Sequence, residues 1–224
     1  MIRNWFFPGL LDTGPVCDRL VAVRDGFVNL YVFRAPAGLV CIDAGWRPTR
    51  VRHGFALLGL DVRNVAAVFL THLHWDHARG RDLFTNAQVF VSEHESPSFL
   101  GGRRKPAQPL TPVRDGQTLT AAGVDVHAIA APGHTPGSVA YLVDRRFLFT
   151  GDTLGLRHGD AVPFRACFNR DGTALRRSIR KLAALSGIER LLTAHTGSTV
   201  DVGTAFRRWR GAGADVPPQE RARP

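Results

Sequence analysis

The chain has 224 residues, 44% hydrophobic and 21% charged, a composition that suits one folded domain and excludes wholesale disorder. No apolar run approaches the roughly 18 to 20 residues that a membrane span requires, and the N-terminus lacks the apolar core of a signal peptide. The three cysteines, Cys17, Cys41 and Cys167, form no Cys-x-x-Cys pair, which argues against a disulfide framework or a thiolate zinc site. We therefore expect a cytoplasmic protein with no membrane partner.

The formal net charge of +10 raises the question of a nucleic-acid partner. Only two of the 29 basic residues are lysines, and the positive charges are spread along the chain. No long basic run with interleaved aromatic residues is present, as a single-strand groove would require. The pattern disfavours nucleic acid as the main partner and suits a small-molecule substrate, including an anionic one. The oligomeric state is left open.

The first half of the chain alternates short apolar runs with turns that contain glycine or proline, a rhythm typical of strands. A helix is predicted over 49–59, where it ends at Gly59. The continuous apolar run at 65–70 is typical of a strand buried on both faces. The remaining predictions here are strands at 20–23, 28–33, 39–42 and 87–91 and a helix at 76–84.

The second half begins with a segment rich in proline and glycine, 96–116, which predicts a surface loop or lid. Apolar residues with helical spacing predict a helix over 173–185. Strands are predicted at 124–129, 139–143, 146–149 and 189–194, and a second surface loop at 154–170. The α/β pattern predicts one domain over 1–210, followed by a loose tail at 211–224.

The most informative segment is Thr71-His72-Leu73-His74-Trp75-Asp76-His77, directly after the predicted buried strand. It offers three imidazoles and one carboxylate, which are ligands suited to zinc and similar divalent ions. His72 and His74 point the same way if the turn is extended, because alternate side chains do so. The segment therefore predicts a metal site.

Three further candidate ligands each follow an apolar strand, as the first motif does. His134 lies in a loop that begins Pro132-Gly133, Asp152 follows Gly151, and His195 follows the last predicted strand. Seven ligands are too many for one tetrahedral zinc ion but suit two adjacent ions that share a carboxylate. We assign Asp76 and Asp152 to catalysis as well as to metal binding. His158 is a lesser candidate for substrate binding.

The set His-x-His-x-Asp-His, Gly-His-Thr-Pro-Gly-Ser, Gly-Asp and a final strand-end histidine resembles the metallo-β-lactamase-fold hydrolase superfamily over about residues 15–200. The resemblance implies an α/β fold, a four-layer αββα sandwich of two mixed sheets flanked by helices, with the ions at one edge between the sheets. It implies that His72, His74 and His134 hold one ion. It also implies that Asp76, His77 and His195 hold a second ion, that Asp152 bridges the two, and that Asp43 orients a ligand histidine.

Two divalent ions in such a site lower the pKa of a shared water from about 15.7 towards 7, so that hydroxide forms at neutral pH. That metal-bound hydroxide attacks an ester, thioester, lactone or amide carbonyl, or a phosphorus centre. One of the ions polarises the substrate oxygen and stabilises the negative charge that develops on it. Zinc is the leading metal, although the His/Asp ligand set also accepts iron, manganese or cobalt.

Within the superfamily, the chain resembles the glyoxalase II-like and lactonase-like branch rather than a true β-lactamase, because true β-lactamases lack the bridging Asp that Asp152 provides. Homoserine-lactone lactonases carry a tyrosine where this chain has Gly155, and glyoxalase II carries a Gly-Cys-Gly segment that is absent here. The leading prediction is thus a binuclear hydrolase of a small ester, thioester or lactone. The alternatives are a mononuclear iron persulfide dioxygenase of the same fold and a nucleic-acid phosphodiesterase.

Overall fold

The computed structural model describes residues 9–95 and 109–210 of the chain. In this part, fifteen strands form a seven-stranded sheet, a six-stranded sheet and a separate hairpin. The first sheet has the order β1-β2-β3-β4-β5-β6-β7, with β1 Gly14–Cys17, β2 Leu20–Asp25, β3 Val28–Ala35, β4 Gly38–Ile42, β5 Val65–Phe69, β6 Gln88–Ser92 and β7 Leu110–Val113. The second has the order β15-β14-β11-β10-β9-β8, with β8 Thr118–Ala121, β9 Val124–Ala130, β10 Val139–Val143, β11 Phe147–Phe149, β14 Arg190–Thr193 and β15 Gly197–Thr199.

The hairpin pairs β12 Leu154–Arg157 with β13 Asp160–Pro163. The α-helices are α1 Pro48–Leu57, α2 Trp75–Ala78, α3 Gly172–Ala183 and α4 Val202–Phe206. Short 3-10 helices cover Val62–Asn64, Arg79–Leu83, Ala166–Phe168 and Arg207–Trp209. No helix of the described ranges has the length and apolar character needed to cross a membrane.

The two large sheets pack face to face, and helices cover their outer faces. Side chains along β3 alternate between two hydrophobic layers. Tyr31 and Phe33 lie between the two sheets, whereas Leu30 and Val32 pack in the layer that contains α1. The outer face of the second sheet packs against α3 and α4. The four-layer αββα sandwich predicted from the sequence is confirmed.

Aromatic side chains join the two sheets. Phe69 of β5 contacts Tyr141 of β10 at 5.3 Å between ring centroids, and Tyr31 of β3 contacts Phe149 of β11 at 5.4 Å. The buried hydroxyl of Tyr141 donates to the Leu70 carbonyl at 3.0 Å, so its polar atom is satisfied in the core. These contacts fix the end of β5 next to the second sheet, where the histidine motif begins.

Two predicted loops are partly wrong. Of the predicted loop 96–116, residues 96–108 lie outside the described ranges, but Leu110–Val113 is a strand parallel to β6. Pro112 is tolerated there because β7 is the last strand of the sheet in the described ranges, and no described strand needs an amide donor on its outer side. The predicted loop 154–170 contains the β12–β13 hairpin, whose two turn residues, His158 (φ 51°) and Gly159 (φ 87°), both have positive φ, as a type I′ turn requires.

The helix predicted over 76–84 is also only partly right, because α2 ends at Ala78 and continues as a 3-10 helix. Gly80 donates its backbone N–H to the Gly45 carbonyl at 2.8 Å, and a Cβ at Gly80 would lie 2.1 Å from the Ala44 carbonyl oxygen. This close approach ties the helix to the loop after β4. The predicted tail at 211–224 lies outside the described residues.

Candidate metal centre

The predicted ligands lie on loops that leave one edge of the two sheets. His72, His74, Asp76 and His77 follow β5, His134 follows β9, Asp152 follows β11 and His195 follows β14. Backbone hydrogen bonds connect these loops: Val139 donates to the Thr71 carbonyl at 2.9 Å, and Ala194 donates to the Gly151 carbonyl at 3.4 Å. All seven side chains predicted from the sequence therefore lie together.

The first group contains ligand atoms of His72, His74, His134 and Asp152. His74 Nδ1 lies 3.0 Å from His72 Nε2 and 2.9 Å from His134 Nε2. Asp152 Oδ2 lies 3.3 Å from His134 Nε2 and 4.0 Å from His72 Nε2. Three nitrogens and one oxygen thus converge on one point, which is the ligand number of a tetrahedral ion.

The second group contains Asp76, His77 and His195. The Nε2 atoms of His77 and His195 lie 3.4 Å apart, and Asp76 Oδ2 lies 3.6 Å and 3.5 Å from them. Asp152 Oδ1 lies 3.4 Å from His77 Nε2 and 3.2 Å from His195 Nε2. The two oxygens of Asp152 therefore face different groups, which is the position expected of a bridging carboxylate.

Hydrogen bonds to the outer ring nitrogens fix how four of the histidines are oriented. Nδ1 of His72 lies 3.1 Å from Thr71 Oγ1, and Nδ1 of His77 lies 2.8 Å from Asp43 Oδ2. Nδ1 of His134 lies 3.1 Å from Asn169 Oδ1, and Nδ1 of His195 lies 2.7 Å from the Phe27 carbonyl oxygen. Where the outer partner accepts the Nδ1 proton, the neutral imidazole presents a lone pair at Nε2. All four Nε2 atoms face the site.

These side chains fit divalent ions. His74 Nδ1 carries at most one proton, so it can donate to only one of the two Nε2 atoms that face it. At least one close pair of nitrogens therefore has no proton between them, and their lone pairs repel each other. A cation bound between them relieves that repulsion. Tetrahedral zinc with bonds of about 2.0–2.1 Å would separate its ligand atoms by roughly 3.3 Å, close to the separations above. Asp152 Oδ1 is buried and has no hydrogen-bond partner among the described residues, as an oxygen reserved for a metal would.

Asp43 has a backbone conformation that is uncommon for an aspartate, with φ of 62°. Its carboxylate accepts hydrogen bonds from the backbone N–H of Thr71 at 2.8 Å and from the Thr71 hydroxyl at 3.0 Å, and it also contacts His77. The residue that the sequence singled out as a partner for a ligand histidine thus contacts one directly. Through Thr71 it also reaches His72.

Electrostatics differ between the two groups when no metal is bound. Burial lowers the pKa of His74 to about 4 and lowers the pKa of His72 and His134. These three imidazoles are neutral at pH 7 and ready to bind a cation. Burial also opposes charge on His77, but Asp152, Asp76 and Asp43 outweigh it and raise the pKa of His77. Asp152 likewise outweighs burial at His195 and raises its pKa.

Other residues divide into those near the site and those away from it. Asn169 and the Phe27 carbonyl were not identified from the sequence, because no local pattern connects them to the histidines that they orient. His158 is exposed at the β12–β13 turn, and the described structure gives it no contact with the seven ligand side chains. Trp75 is 40% exposed beside the ligands.

Comparison with known proteins agrees with this geometry. The family model of the metallo-beta-lactamase superfamily matches residues 23–195. The chain is 30% identical over 124 residues to the probable polyketide biosynthesis zinc-dependent hydrolase BaeB of Bacillus velezensis, covering 54% of this chain and 52% of that protein. It is 29% identical over 200 residues to the lactamase-like protein vrtG of Penicillium aethiopicum, covering 84% of this chain and 59% of that protein. The chain spans between half and three fifths of these relatives.

A solved structure has the same fold. A metallo-beta-lactamase family protein from Thermus thermophilus superimposes with a TM-score of 0.67 at 24% identity, covering 86% of this chain and 79% of that one. The matched family model begins in β2 and ends at His195, so it includes all seven convergent side chains. The chain belongs to the metallo-beta-lactamase superfamily.

Proposed function

We propose that this chain binds two divalent ions, zinc in the first place, and hydrolyses a small ester, thioester or lactone. The observation on which the proposal depends is the placement of Asp152 between the two histidine groups, with Oδ2 3.3 Å from His134 Nε2 and Oδ1 3.2 Å from His195 Nε2. A single ion would need only one of these oxygens. The names of two relatives, which describe zinc-dependent hydrolases, support the choice of metal.

When bound, the ions would lower the pKa of water and polarise a substrate carbonyl. His72, His74, His134 and Asp152 would hold one ion, and Asp76, His77, His195 and the second oxygen of Asp152 would hold the other. The side chain of Asp76 is 12% exposed against 5% for Asp152, so Asp76 presents the more accessible carboxylate. We assign to Asp76 the orientation of the attacking water and the acceptance of its proton.

The overall reaction adds water across the bond between the acyl carbon and its leaving group. The water oxygen forms the new bond to the acyl carbon, and the bond to sulfur or oxygen breaks. The products are a carboxylic acid and a thiol or alcohol, and the leaving group takes up a proton. The formal charge of +10 favours an anionic small molecule as substrate.

The alternative of a mononuclear iron dioxygenase uses only the positions of His72, His134 and Asp152. Four further convergent side chains would then have no role, namely His74, Asp76, His77 and His195. A phosphodiesterase acting on nucleic acid would be expected to depend steeply on salt. Nothing in the described site favours either alternative over the hydrolase.

The test combines metal analysis with a panel of esters, thioesters, lactones and phosphodiesters. We expect two zinc ions per chain, hydrolysis of a carbonyl substrate, loss of activity on chelation and its return with added zinc. His74→Ala and Asp152→Ala should each lower bound zinc and abolish hydrolysis, whereas His53→Ala, on the exposed face of α1, should do neither. One iron per chain with oxygen consumption, or full activity after metal removal, would contradict the proposal.

A further inference from the structure

Large exposed hydrophobic side chains are few in the described part of the chain, and two of them lie beside the candidate metal centre. Four such residues are exposed: Leu57, Trp75, Phe168 and Val200. Trp75 is 40% exposed and lies between the ligands His74 and Asp76. Phe168 is 52% exposed and precedes Asn169, which contacts His134. Single exposed hydrophobic residues are ordinary, but two around one polar centre indicate a ligand surface.

Trp75 is the outermost member of an aromatic cluster that reaches the centre. Its ring centroid lies 4.8 Å from that of Trp46 and 5.7 Å from that of Phe27, and both contacts have edge-to-face geometry. Phe27 in turn stacks near His195, with 5.9 Å between centroids and 18° between planes. We name Phe27, Trp46 and Trp75 the tryptophan cluster. It extends from a metal-ligand candidate to a half-exposed indole.

A second aromatic group begins at the same histidine. Phe164 lies 5.2 Å from His195 with 25° between the ring planes, and 5.6 Å from His134 with edge-to-face geometry. Phe168 stacks on Phe164 at 6.1 Å and 28°. This phenylalanine pair comes from the segment after the β12–β13 hairpin, whereas the tryptophan cluster comes from the β2–β3 turn, the loop after β4 and the start of α2. Two independent parts of the fold therefore place aromatic rings around His195.

Planar rings recognise planar ligands. Offset and edge-to-face aromatic contacts contribute about 0.5–1.5 kcal/mol beyond the burial of area, and a flat group can make several of them at little cost in conformational entropy. A flexible aliphatic chain gains burial but not this additional contribution. The exposed faces of Trp75 and Phe168 suit an aromatic or conjugated ring more than a short aliphatic chain.

We infer that the acyl group of the substrate is a flat aromatic or conjugated ring system, held by the tryptophan cluster and the phenylalanine pair with its carbonyl at the metal centre. This inference rests on the proposed hydrolase function and narrows its substrate class. The reaction is unchanged: water adds to the acyl carbon, the bond to the leaving group breaks, and an aromatic carboxylic acid is released.

The test uses two thioesters with one leaving group, the 2-naphthoyl and hexanoyl thioesters of N-acetylcysteamine. We expect the zinc-loaded protein to have at least tenfold higher kcat/KM for the naphthoyl compound. Trp75→Leu and Phe168→Leu should each lower the ratio of the two kcat/KM values several-fold, whereas Trp75→Phe should retain most of it. Leu57→Ala, which removes another exposed hydrophobic residue, should leave the ratio unchanged.

Binding gives a readout that is independent of turnover. The product 2-naphthoate should quench the tryptophan fluorescence of the wild-type protein, and Trp75→Leu should reduce that quenching. An equal or higher kcat/KM for the hexanoyl compound would overturn the inference about the acyl group while leaving the hydrolase function intact. Hydrolysis of no carbonyl compound by zinc-loaded protein would instead overturn the proposed function.

Discussion

Asp43 Oδ2 lies 2.8 Å from His77 Nδ1, and the same carboxylate accepts two hydrogen bonds from Thr71. The contact joins the end of β4 to the short helix that follows β5. It orients Nε2 of His77 towards the second ligand group, because the ring nitrogen that donates to Asp43 cannot also bind a metal. One residue outside the ligand set therefore influences both ligand groups, through His77 and through Thr71.

Asp43→Asn should weaken the binding of the second metal ion. Asparagine tolerates the positive φ at this position, but the substitution removes the carboxylate charge that balances His77. Loss of such an outer partner typically lowers metal affinity by about 10–100-fold. Zinc titration against a competing chelator would measure the change at each of the two sites.

The matched control for this change is Asp144→Asn. Asp144 also has a positive φ, 54°. Its carboxylate lies 3.0 Å from the Arg19 guanidinium, and this ion pair is not in contact with the ligand side chains. The backbone effect of the substitution is thus similar at both positions. Equal loss of zinc affinity in the two variants would show that Asp43 acts only through stability of the fold.

The Glu95 carboxyl group connects two ligand loops. It accepts a hydrogen bond from the Thr135 hydroxyl at 2.7 Å and further hydrogen bonds from the backbone N–H groups of Leu73 and Gly137. Leu73 lies between His72 and His74, and Thr135 follows His134. The carboxyl therefore supports both segments that form the first ligand group.

This carboxyl should also make stability depend on pH. Burial raises the pKa of Glu95 above 4.5, despite the three hydrogen bonds, so the folded state holds the proton more tightly than the unfolded chain does. Its contribution to stability is therefore present below pH 4.5 and is lost as the pH rises through the raised pKa. Urea denaturation of metal-free protein would measure the unfolding free energies of Glu95→Gln and of the wild type. The difference, variant minus wild type, should increase from pH 4 to pH 7.

Glu189→Gln provides a control of opposite sign. The Arg146 guanidinium donates to Glu189 and holds the pKa of that carboxyl below its usual value, so its stabilisation is present at neutral pH and is lost in acid. The unfolding free energy of Glu189→Gln relative to wild type should therefore decrease as the pH rises. If both variants change in the same direction, the burial argument for Glu95 is wrong.

Gly151→Ala should damage the metal centre by a purely steric route. A Cβ at this position, where φ is +51°, would lie 2.5 Å from Thr71 Oγ1, the atom that contacts both Asp43 and His72. Displacing Thr71 should lower the free energy of unfolding by about 1–3 kcal/mol, in addition to the cost of the positive φ, and so lower the melting temperature. It should also lower the zinc content of the purified protein.

Gly187→Ala separates the two contributions. Its φ is +75° and a Cβ there would meet no atom of the described residues within 4 Å, so it incurs the left-handed backbone cost of roughly 1 kcal/mol without the clash. We expect this variant to retain full zinc binding. A Gly151→Ala protein that matched it in melting temperature and zinc content would disprove the steric argument.

The four-layer fold was predicted from the resemblance to a known superfamily, whereas the seven convergent side chains and their places at strand ends could be identified from the sequence itself. Local chemistry made this possible: three histidines and an aspartate occur within six residues, and His134, Asp152 and His195 each follow an apolar strand. Strands of five residues or more with clear apolar patterns, such as β5 and β9, were predicted within two residues of their bounds. Among the strands of three or four residues, β11 and β14 were predicted, but β12, β13 and β15 were missed, because so few positions establish no period.

Only the tertiary structure decided which atoms face one another. The partners that orient His134 and His195 are Asn169 and the Phe27 carbonyl, 35 and 168 residues away along the chain. The aromatic rings near His195 come from turns of one sheet and from the segment after a hairpin. Residue types and local spacing specify which groups can bind a metal, whereas distances across sheets depend on packing of the whole core. Sequence therefore determined which groups can form the candidate metal centre, and the fold determined which side chains surround it.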